Sequence, residues 1–358
     1  MPTEAVAHEM APASTTDGAV RVTVATPADR TAWDAFVSSS SSAAGYHEWA
    51  WRTIIEQSFG HEAIYLMARN EHRVLGVLPI VQIKSLLFGR TMTSLPFLNY
   101  GGVLAGSEKV ASALVEKAAE LARERGIAHI ELRHVARRFH DLPCKQHKVT
   151  MKLALQAGLW DKLDRKVRNQ VRKAEKSELI AARGGAELVA EFYTVFARNM
   201  RDLGTPVYAR RFFEEILKAF PDRARIVVVR LKNQPIAAGL TFRTRSTVEI
   251  PWASSIRDFN NLCPNHLLYW TALEAAVAEG CDTFDFGRST PDEGTYKFKE
   301  QWGAQPVPLH WEYRLLREGG LPDQSPKNPK FRMMIETWKR CPLWLTNAVG
   351  PHIVRSIP

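Results

Sequence analysis

Apolar residues along this chain follow two spacings. Short alternating or continuous runs predict strands, and repeats every three to four residues predict helices. In the first half, strands are predicted at residues 20–25, 63–68, 74–82 and 127–132. Helices are predicted at 47–59, where Trp51, Ile55 and Phe59 share one face, and from the capping residue Ser107 to the stop at Gly126.

The second half repeats this order. Helices are predicted at 192–200 and 212–220, strands at 226–231, 235–242, 248–253 and 283–286, and a further helix between Pro264 and Gly280. The segments ERGIAHIEL (124–132) and AEGCDTFDF (278–286) hold the same place in the two halves. The sequence therefore predicts a duplicated mixed α/β (α+β) domain. The alternative is that a common order of elements recurs by chance.

A basic segment, residues 160–176, lies between the halves. Leu163, Val167, Val171 and Ala174 form an apolar stripe at helical spacing, and lysines and arginines, among them Arg168 and Arg172, fill the other faces. The segment is either a docked helix whose arginines contact substrate or a solvated charged face. We expect a tail at 1–18, a first unit at 19–158, a linking helix at 159–178, a second unit at 179–316 and a C-terminal extension at 317–358.

Composition narrows the function classes. The 358 residues carry a net charge of +10, which favours anionic partners such as nucleic acid, nucleotide-linked substrates, phosphorylated carriers or an acidic membrane face. The four cysteines form no C-x-x-C pair, so we expect neither a metal site nor a disulfide framework. No run reaches the ~20 apolar residues of a membrane span. With Glu4 and Glu9 near the start in place of a signal peptide, we expect a cytoplasmic protein.

The C-terminal end, PLWLTNAVGPHIVRSIP, is apolar with scattered basic residues. It either covers the body of the protein or touches a membrane surface, which would be the inner membrane for a cytoplasmic protein.

Several familiar catalytic motifs are absent from the sequence. There is no G-x-x-x-x-G-K-[ST] loop, no G-x-G-x-x-G after a strand, no H-E-x-x-H and no G-x-S-x-G. The pattern therefore disfavours nucleotide-dependent kinases and the common hydrolases.

Residues 284–303, FDFGRSTPDEGTYKFKEQWG, carry the clearest chemistry. A strand is expected to bury Phe284 and Phe286 on one face and to offer Asp285 on the other, with bends at Gly287 and Gly294. Candidate substrate contacts follow the strand: Arg288, Ser289, Tyr296 and Lys297. The lysines stand next to aromatic residues, where an ammonium group can stabilise a developing negative charge with little competing water. The alternative is a structural loop tied down by an Asp–Arg pair.

This segment resembles the C-terminal signature of the FemAB-like acyltransferases, and more closely the subgroup associated with exosortase/PEP-CTERM and exopolysaccharide systems. The resemblance covers residues 20–314. Its motifs are FGRS (286–289), GTYKFK (294–299) and WGA (302–304), supported by NYGG (99–102), RNQVRKA (168–174) and PNHLL (264–268).

The resemblance implies two GNAT-like domains that face a shared groove. It implies amide formation by attack of an amine on an activated acyl ester, usually an aminoacyl-tRNA. Phe298 and Lys299 match the Phe-Lys pair of the family, in which the lysine stabilises the oxyanion or the leaving group. Asp285 and Arg288 would organise the site, and the first domain would hold a cell-envelope or exopolysaccharide precursor.

The acyl donor stays open, because relatives in the wider clan use acyl-CoA. Asn265 and His266, in a turn without glycine at 261–266, are the donor-binding candidates. Tyr100 and Trp252 are further substrate-contact candidates, each with a structural alternative. The isolated candidate bases are His47, His134, His140 and His266. Two other functions remain: an acyl-CoA-dependent N-acetyltransferase acting on an amino sugar, and a non-catalytic RNA- or polysaccharide-binding factor.

Overall fold

A computed structural model of the chain describes residues 19–71, 73–85, 89–317, 320–321 and 329–357. In the first half the strands are β1 (Arg21–Val24), β2 (Glu62–Arg69), β3 (Val74–Ser85), β4 (Gly89–Thr93), β5 (Leu104–Ala105), β6 (His129–His134), β7 (Cys144–Lys145) and β8 (Val149–Ala154). The helices there are α1 (Arg30–Ser39), α2 (Ala50–Phe59) and α3 (Glu108–Glu124), the last capped by the Ser107 hydroxyl as predicted.

The remaining helices are α4 (Leu159–Lys162), α5 (Arg165–Lys176), α6 (Val189–Leu203), α7 (Arg210–Ala219), α8 (Pro264–Ala278), α9 (Gly294–Glu300), α10 (Pro329–Arg340) and α11 (Leu343–Val354). The remaining strands are β9 (Leu179–Gly184), β10 (Ala224–Leu231), β11 (Gln234–Thr244), β12 (Thr247–Ser255), β13 (Thr283–Ser289), β14 (Gln305–Pro308) and β15 (His310–Leu315).

The strands form two mixed sheets. The first has the order β1-β2-β3-β4-β6-β15-β7, with β5 paired to β3, and the second has the order β14-β8-β13-β12-β11-β10-β9. Each sheet contains one parallel pair, β4 with β6 and β12 with β13, at the corresponding place. The predicted fold class, two mixed sheets flanked by helices, is confirmed.

The two sheets exchange strands. The boundary that we drew at residue 158 assigns β8 to the first unit, but β8 lies in the second sheet between β13 and β14. Conversely, the boundary that we drew at residue 316 assigns β15 to the second unit, but β15 pairs with β6 and β7 of the first sheet. Strand β8 joins the second sheet because β13 pairs with β12 along one edge only, and β8 pairs with its other edge. The two sheets are therefore linked by chain crossings as well as by packing.

Two details of the sequence prediction were wrong, and one helix was not predicted. The basic linking helix is not continuous, because Asp164 follows one turn and caps the next by accepting a hydrogen bond from the Lys166 amide. Gly294, predicted to make a bend, begins helix α9. Helix α11 occupies the apolar C-terminal end, for which the sequence analysis made no secondary-structure prediction. The predicted tail at 1–18 and most of the connection at 319–330 lie outside the described residues.

The largest hydrophobic core contains residues of both units. Phe242 of β11 has its ring centroid 5.6 Å from that of Trp51 and 4.8 Å from that of Phe220. It also stacks near Tyr46, at 6.2 Å. This aromatic cluster holds the two sheets in one fixed arrangement.

The C-terminal helices pack on the body through α6. The His61 ring lies 2.6 Å from the carbonyl oxygen of Arg355, and Gly350 approaches Val207 too closely for a larger side chain. In the part of the chain that the structure describes, no helix is both long and apolar enough to cross a bilayer.

Candidate active site

A cleft of about 590 Å³ lies between the two sheets. It forms because β12 and β13 pair for only three residues, Thr247 to Glu249 with Thr283 to Asp285, and share no ladder further along. Ile250 and Ala253 of β12, Phe286 of β13 and Tyr269 of α8 line this opening. Since the two strands leave exposed backbone and apolar surface between them, the opening can receive an extended acyl group.

Lys299 of helix α9 lines this cleft. Its side chain is 6% exposed, and its ammonium donates to the carbonyl oxygens of Gly287 and Arg288, both at 2.9 Å. An ammonium group has three N–H bonds, so one remains for a ligand. Burial lowers the pKa of Lys299 to about 8, while the carboxyl groups of Asp285 and Glu249 oppose that effect. The group is therefore a cation at neutral pH.

Gly287 makes this arrangement possible. Its φ of +74° is in the left-handed region that favours glycine, and an added Cβ would lie 3.1 Å from the Ile250 carbonyl oxygen. This left-handed backbone conformation turns the carbonyl groups of Gly287 and Arg288 toward Lys299. A bend at this glycine was predicted from the sequence.

Two buried carboxyl groups, Glu249 and Asp285, lie behind the lysine. Asp285 accepts hydrogen bonds from the Thr150 hydroxyl and, at 2.8 Å, from the Gly287 amide. Glu249 accepts one from the Asn99 side chain. Burial raises the pKa of both groups, that of Glu249 to about 8, and the charge of Asp285 adds to the shift of Glu249. The pair thus holds a proton at neutral pH.

Tyr100 of the first unit bridges this pair. Its hydroxyl oxygen lies 3.3 Å from a carboxyl oxygen of Glu249 and 3.3 Å from one of Asp285. A hydroxyl donates to one carboxylate at a time, so the other contact is satisfied when that carboxyl is protonated and donates to the tyrosine oxygen. The Tyr100 side chain is buried, and its hydroxyl ties the first unit to the site of the second.

Sequence reasoning missed Glu249. The sequence feature that could have revealed it is that Glu249 is a single acidic residue within an otherwise apolar strand, between Val248 and Ile250. It also expected the strand to offer Asp285 on the face opposite the aromatic residues, with an Asp–Arg pair as the structural alternative. Asp285 is instead fully buried, because the first unit covers that face, and it pairs with polar donors rather than with Arg288.

Arg288 lines the cleft beside Ser289. Its guanidinium carbon lies 5.6 Å from the ring centroid of Trp311, and that of Arg133 lies 4.3 Å from the same centroid. Trp311 belongs to β15, so this part of the cleft is built from both sheets. The Ser289 hydroxyl is buried without a hydrogen-bond partner in the described part of the chain.

Other predicted residues lie away from the cleft lining. Phe298 packs against His266 and Tyr269, with centroids 5.1 and 5.2 Å apart. Lys297 is exposed and Tyr296 packs on the core of the second unit.

Trp252 is packed between Phe212 and Phe213 in the core. It therefore has the structural role that was the alternative to substrate contact. On α5, Arg172 lies over the Trp160 ring at 5.5 Å, and the Nε atom of Arg168 is buried.

The donor-binding candidates stand at the start of α8. The Asn265 amide donates to the Ser255 hydroxyl at 2.9 Å and so closes the preceding turn. Burial lowers the pKa of His266 to about 4, which makes it neutral, and its Nε2 atom has no partner within the described residues. The start of a helix attracts anions through its dipole and its free amide groups. The prediction that the start of α8 binds the acyl donor therefore does not require a charge on His266.

The remaining candidate bases have structural environments. His47 is buried, and its Nε2 atom lies 3.0 Å from the Gly102 carbonyl oxygen. The Nδ1 atom of His134 lies 2.6 Å from the Glu312 carboxylate. His140 is exposed at the surface.

Comparison with known proteins identifies the class. Residues 161–300 match the family described as acetyltransferase (GNAT) domain. This segment includes Lys299, Asp285 and Arg288. No curated protein sequence matches the chain at a significant level.

Solved structures are similar in fold over most of the chain, at low sequence identity. The crystal structure of FemX superposes with a TM-score of 0.59 and 17% identity, over 83% of this chain and 98% of that one. A tandem GNAT protein from the clavulanic acid biosynthesis pathway superposes with a TM-score of 0.54 and 10% identity, over 84% of this chain and 100% of that one. L-PGS from Bacillus licheniformis superposes with a TM-score of 0.54 and 10% identity, over 89% of this chain and 98% of that one. At these identities the likeness concerns the fold.

Residues 161–300 thus match a GNAT acetyltransferase domain, and the fold is similar to that of tandem GNAT proteins. The predicted enzyme class, acyltransferase, is confirmed at this level.

Proposed function

We propose that this protein transfers an acyl or aminoacyl group to an amine on a cell-envelope or exopolysaccharide precursor. The amine nitrogen attacks the acyl carbon and a C–N bond forms. The bond from that carbon to the carrier's oxygen or sulfur then breaks, and the amine's proton passes to the leaving group. The observation that carries the proposal is the buried Lys299 ammonium in the cleft where β12 and β13 separate.

Lys299 has the properties that the reaction requires. It is charged at neutral pH, it is held by two carbonyl oxygens, and it keeps one N–H bond for an oxyanion or a leaving group. A fixed charge on a side chain as buried as that of Lys299 stabilises a transition state without reorganisation. Phe298 contributes by fixing α9 against α8, a positioning role rather than contact with the oxyanion.

The acceptor assignment rests on the sequence resemblance to the exosortase/PEP-CTERM-associated FemAB-like subgroup. The fold likeness to FemX, and to L-PGS, is compatible with it. A precursor made at the inner face of the membrane would require a cytoplasmic protein. The cationic groups that line the cleft, Arg133, Arg288 and Lys299, suit an anionic precursor.

The test replaces Lys299 with methionine, which keeps the length of the side chain and removes its charge. With a working donor and acceptor, we expect turnover to fall by about 10²–10³, the usual cost of losing one oxyanion donor. Lys218→Met, at an exposed lysine of α7, is the matched control. Unchanged turnover in a folded Lys299→Met protein would remove Lys299 from the mechanism.

A second candidate is an acyl-CoA-dependent N-acetyltransferase acting on an amino sugar. The match of residues 161–300 to an acetyltransferase family favours it. Calorimetry with acetyl-CoA separates the two donors. Saturable binding supports acyl-CoA, and no binding at millimolar concentration leaves aminoacyl-tRNA as the donor.

A non-catalytic RNA- or polysaccharide-binding factor is the third interpretation of the sequence. It predicts tight, salt-sensitive binding that is indifferent to Lys299→Met. The burial of Lys299 favours the enzymatic roles, because a group that only attracts polyanions needs no such enclosure.

We also propose that the C-terminal extension touches the inner membrane. Helices α10 and α11 expose Met333, Met334, Trp344 and Val349 while the rest of α11 packs on the body. Val354 and Ile357, at the end of the same segment, line the cleft. Contact with a bilayer would therefore bring the cleft near a membrane-bound precursor.

A further inference from the structure

Two arginines from different sheets lie against one indole ring in the cleft. Arg133 of β6 and Trp311 of β15 are paired in register in the first sheet. Arg288 comes from β13 of the second sheet. The guanidinium carbons lie 4.3 Å (Arg133) and 5.6 Å (Arg288) from the ring centroid of Trp311. The aromatic face fixes both cations where the two sheets meet.

The charge of Arg288 is not balanced, whereas that of Arg133 is paired with the Glu131 carboxylate. Arg133 donates from Nε to Glu131 at 2.7 Å and from Nη1 to the Leu98 carbonyl oxygen at 3.3 Å. In the part of the chain that the structure describes, no carboxylate lies within ion-pair distance of Arg288. Burial, together with the charge of Arg133, lowers the pKa of Arg288 to about 10. An enclosed cation without a counter-charge is costly unless a ligand supplies one.

A further donor faces the same space. Tyr208 lines the cleft, and its hydroxyl makes no hydrogen bond to the described residues. Its ring is held by Phe212, with centroids 5.4 Å apart. Lys148 also lines the cleft and donates to the Thr290 hydroxyl at 2.6 Å. Donors from separate parts of the chain thus surround one space.

We propose that Arg288, Arg133 and Tyr208 bind a phosphate group of the acceptor substrate. This deepens the proposed function and rests on it. A phosphate presents three acceptor oxygens and suits the planar donor pattern of guanidinium groups. The acceptor is its source because Arg133 and Trp311 belong to the first sheet, whereas the predicted donor site at α8 belongs to the second. Since the Arg288 carbonyl oxygen holds Lys299, the phosphate is anchored beside the acyl-transfer centre.

The experiment measures binding by calorimetry at low salt, with sodium pyrophosphate and, for comparison, malonate as probes. We expect one saturable pyrophosphate site in the wild-type protein and weaker binding of malonate. Arg288→Met should weaken pyrophosphate binding about 10-fold or more, because a charge-assisted contact is lost. Arg21→Met, at an exposed arginine of β1, should bind as wild type does. Thermal melts check folding, and removal of an unpaired cation should not lower the melting temperature.

Three results would overturn the proposal: no saturable pyrophosphate site in the wild-type protein, equal binding by Arg288→Met and Arg21→Met, or malonate binding as tight as pyrophosphate. Coenzyme A tests the source of the phosphate. Arg288→Met should leave coenzyme A binding unchanged, and a parallel loss would overturn the acceptor assignment. Lys299→Met should lose turnover and keep pyrophosphate binding, so failure of the proposed function and failure of this site are distinguishable.

Discussion

Glu249 and Asp285 lie opposite each other in the short parallel ladder between β12 and β13, with both carboxyl groups removed from solvent. Two such groups at neighbouring register positions cannot both ionise without strong repulsion. The Tyr100 hydroxyl from the first unit lies within hydrogen-bond distance of each. The titrating pair Glu249 and Asp285 thus belongs to one buried network. The same network includes the Tyr100 contact between the units and Lys299 of the cleft.

Glu249→Gln should change how stability depends on pH. Glu249 has a pKa of 4.5 when exposed and of about 8 when folded. Between these values the folded state binds more protons than the unfolded state, so this group makes stability fall as pH rises. We expect the free energy of unfolding of the variant, relative to wild type, to increase from about pH 5 to about pH 8 in urea titrations. Glu274→Gln, at an exposed glutamate of α8, should follow wild type, and a Glu249→Gln curve parallel to wild type contradicts the prediction.

Tyr100→Phe should destabilise the protein. Removal of the hydroxyl leaves two buried carboxyl groups with one donor fewer, at a cost of about 1–3 kcal/mol. Tyr65→Phe is the matched control, because the Tyr65 hydroxyl is buried and has no hydrogen-bond partner in the described chain. Chemical denaturation measures both, and an equal effect of the two substitutions would argue against the bridge.

Phe242→Ala should weaken both units together. The ring packs on Tyr46 and Trp51 of the first unit and on Phe220 of the second. Truncation of a buried phenylalanine costs about 3–5 kcal/mol. Because the aromatic cluster belongs to both sheets, we expect one cooperative transition at a lower denaturant concentration. Two separate transitions in the variant would show that the units unfold independently.

The C-terminal helices should bind anionic vesicles. Met333 is 77% exposed and Trp344 is 72% exposed, and Arg332 and Arg340 lie on the same segment. Apolar side chains next to basic residues suit the interface of an anionic bilayer. In flotation assays, Trp344→Ser combined with Met333→Ser should reduce binding to anionic vesicles. Ile180→Ser, at an exposed isoleucine of β9, is the control, and an equal loss there would contradict the prediction.

Much of the fold follows from local pattern. Helices α3 and α8 and strands β10 to β12 appear near their predicted positions, because apolar periodicity and end signals are properties of neighbouring residues. The segment around Lys299, a residue that lines the cleft, was singled out from its residue types together with the family resemblance. The exchange of β8 and β15 was not, since strand pairing across the chain has no local signal.

Sequence alone determined the duplicated α/β order and singled out the segment around Lys299, which we propose to carry acyl transfer. Tertiary structure decided which side chains reach the cleft. Phe298 and Lys299 are neighbours in sequence, but successive residues of a helix point in different directions, so one packs on α8 and the other enters the cleft. Glu249, Arg133 and Trp311 join the site from distant strands, because only the packing of two sheets brings their side chains together.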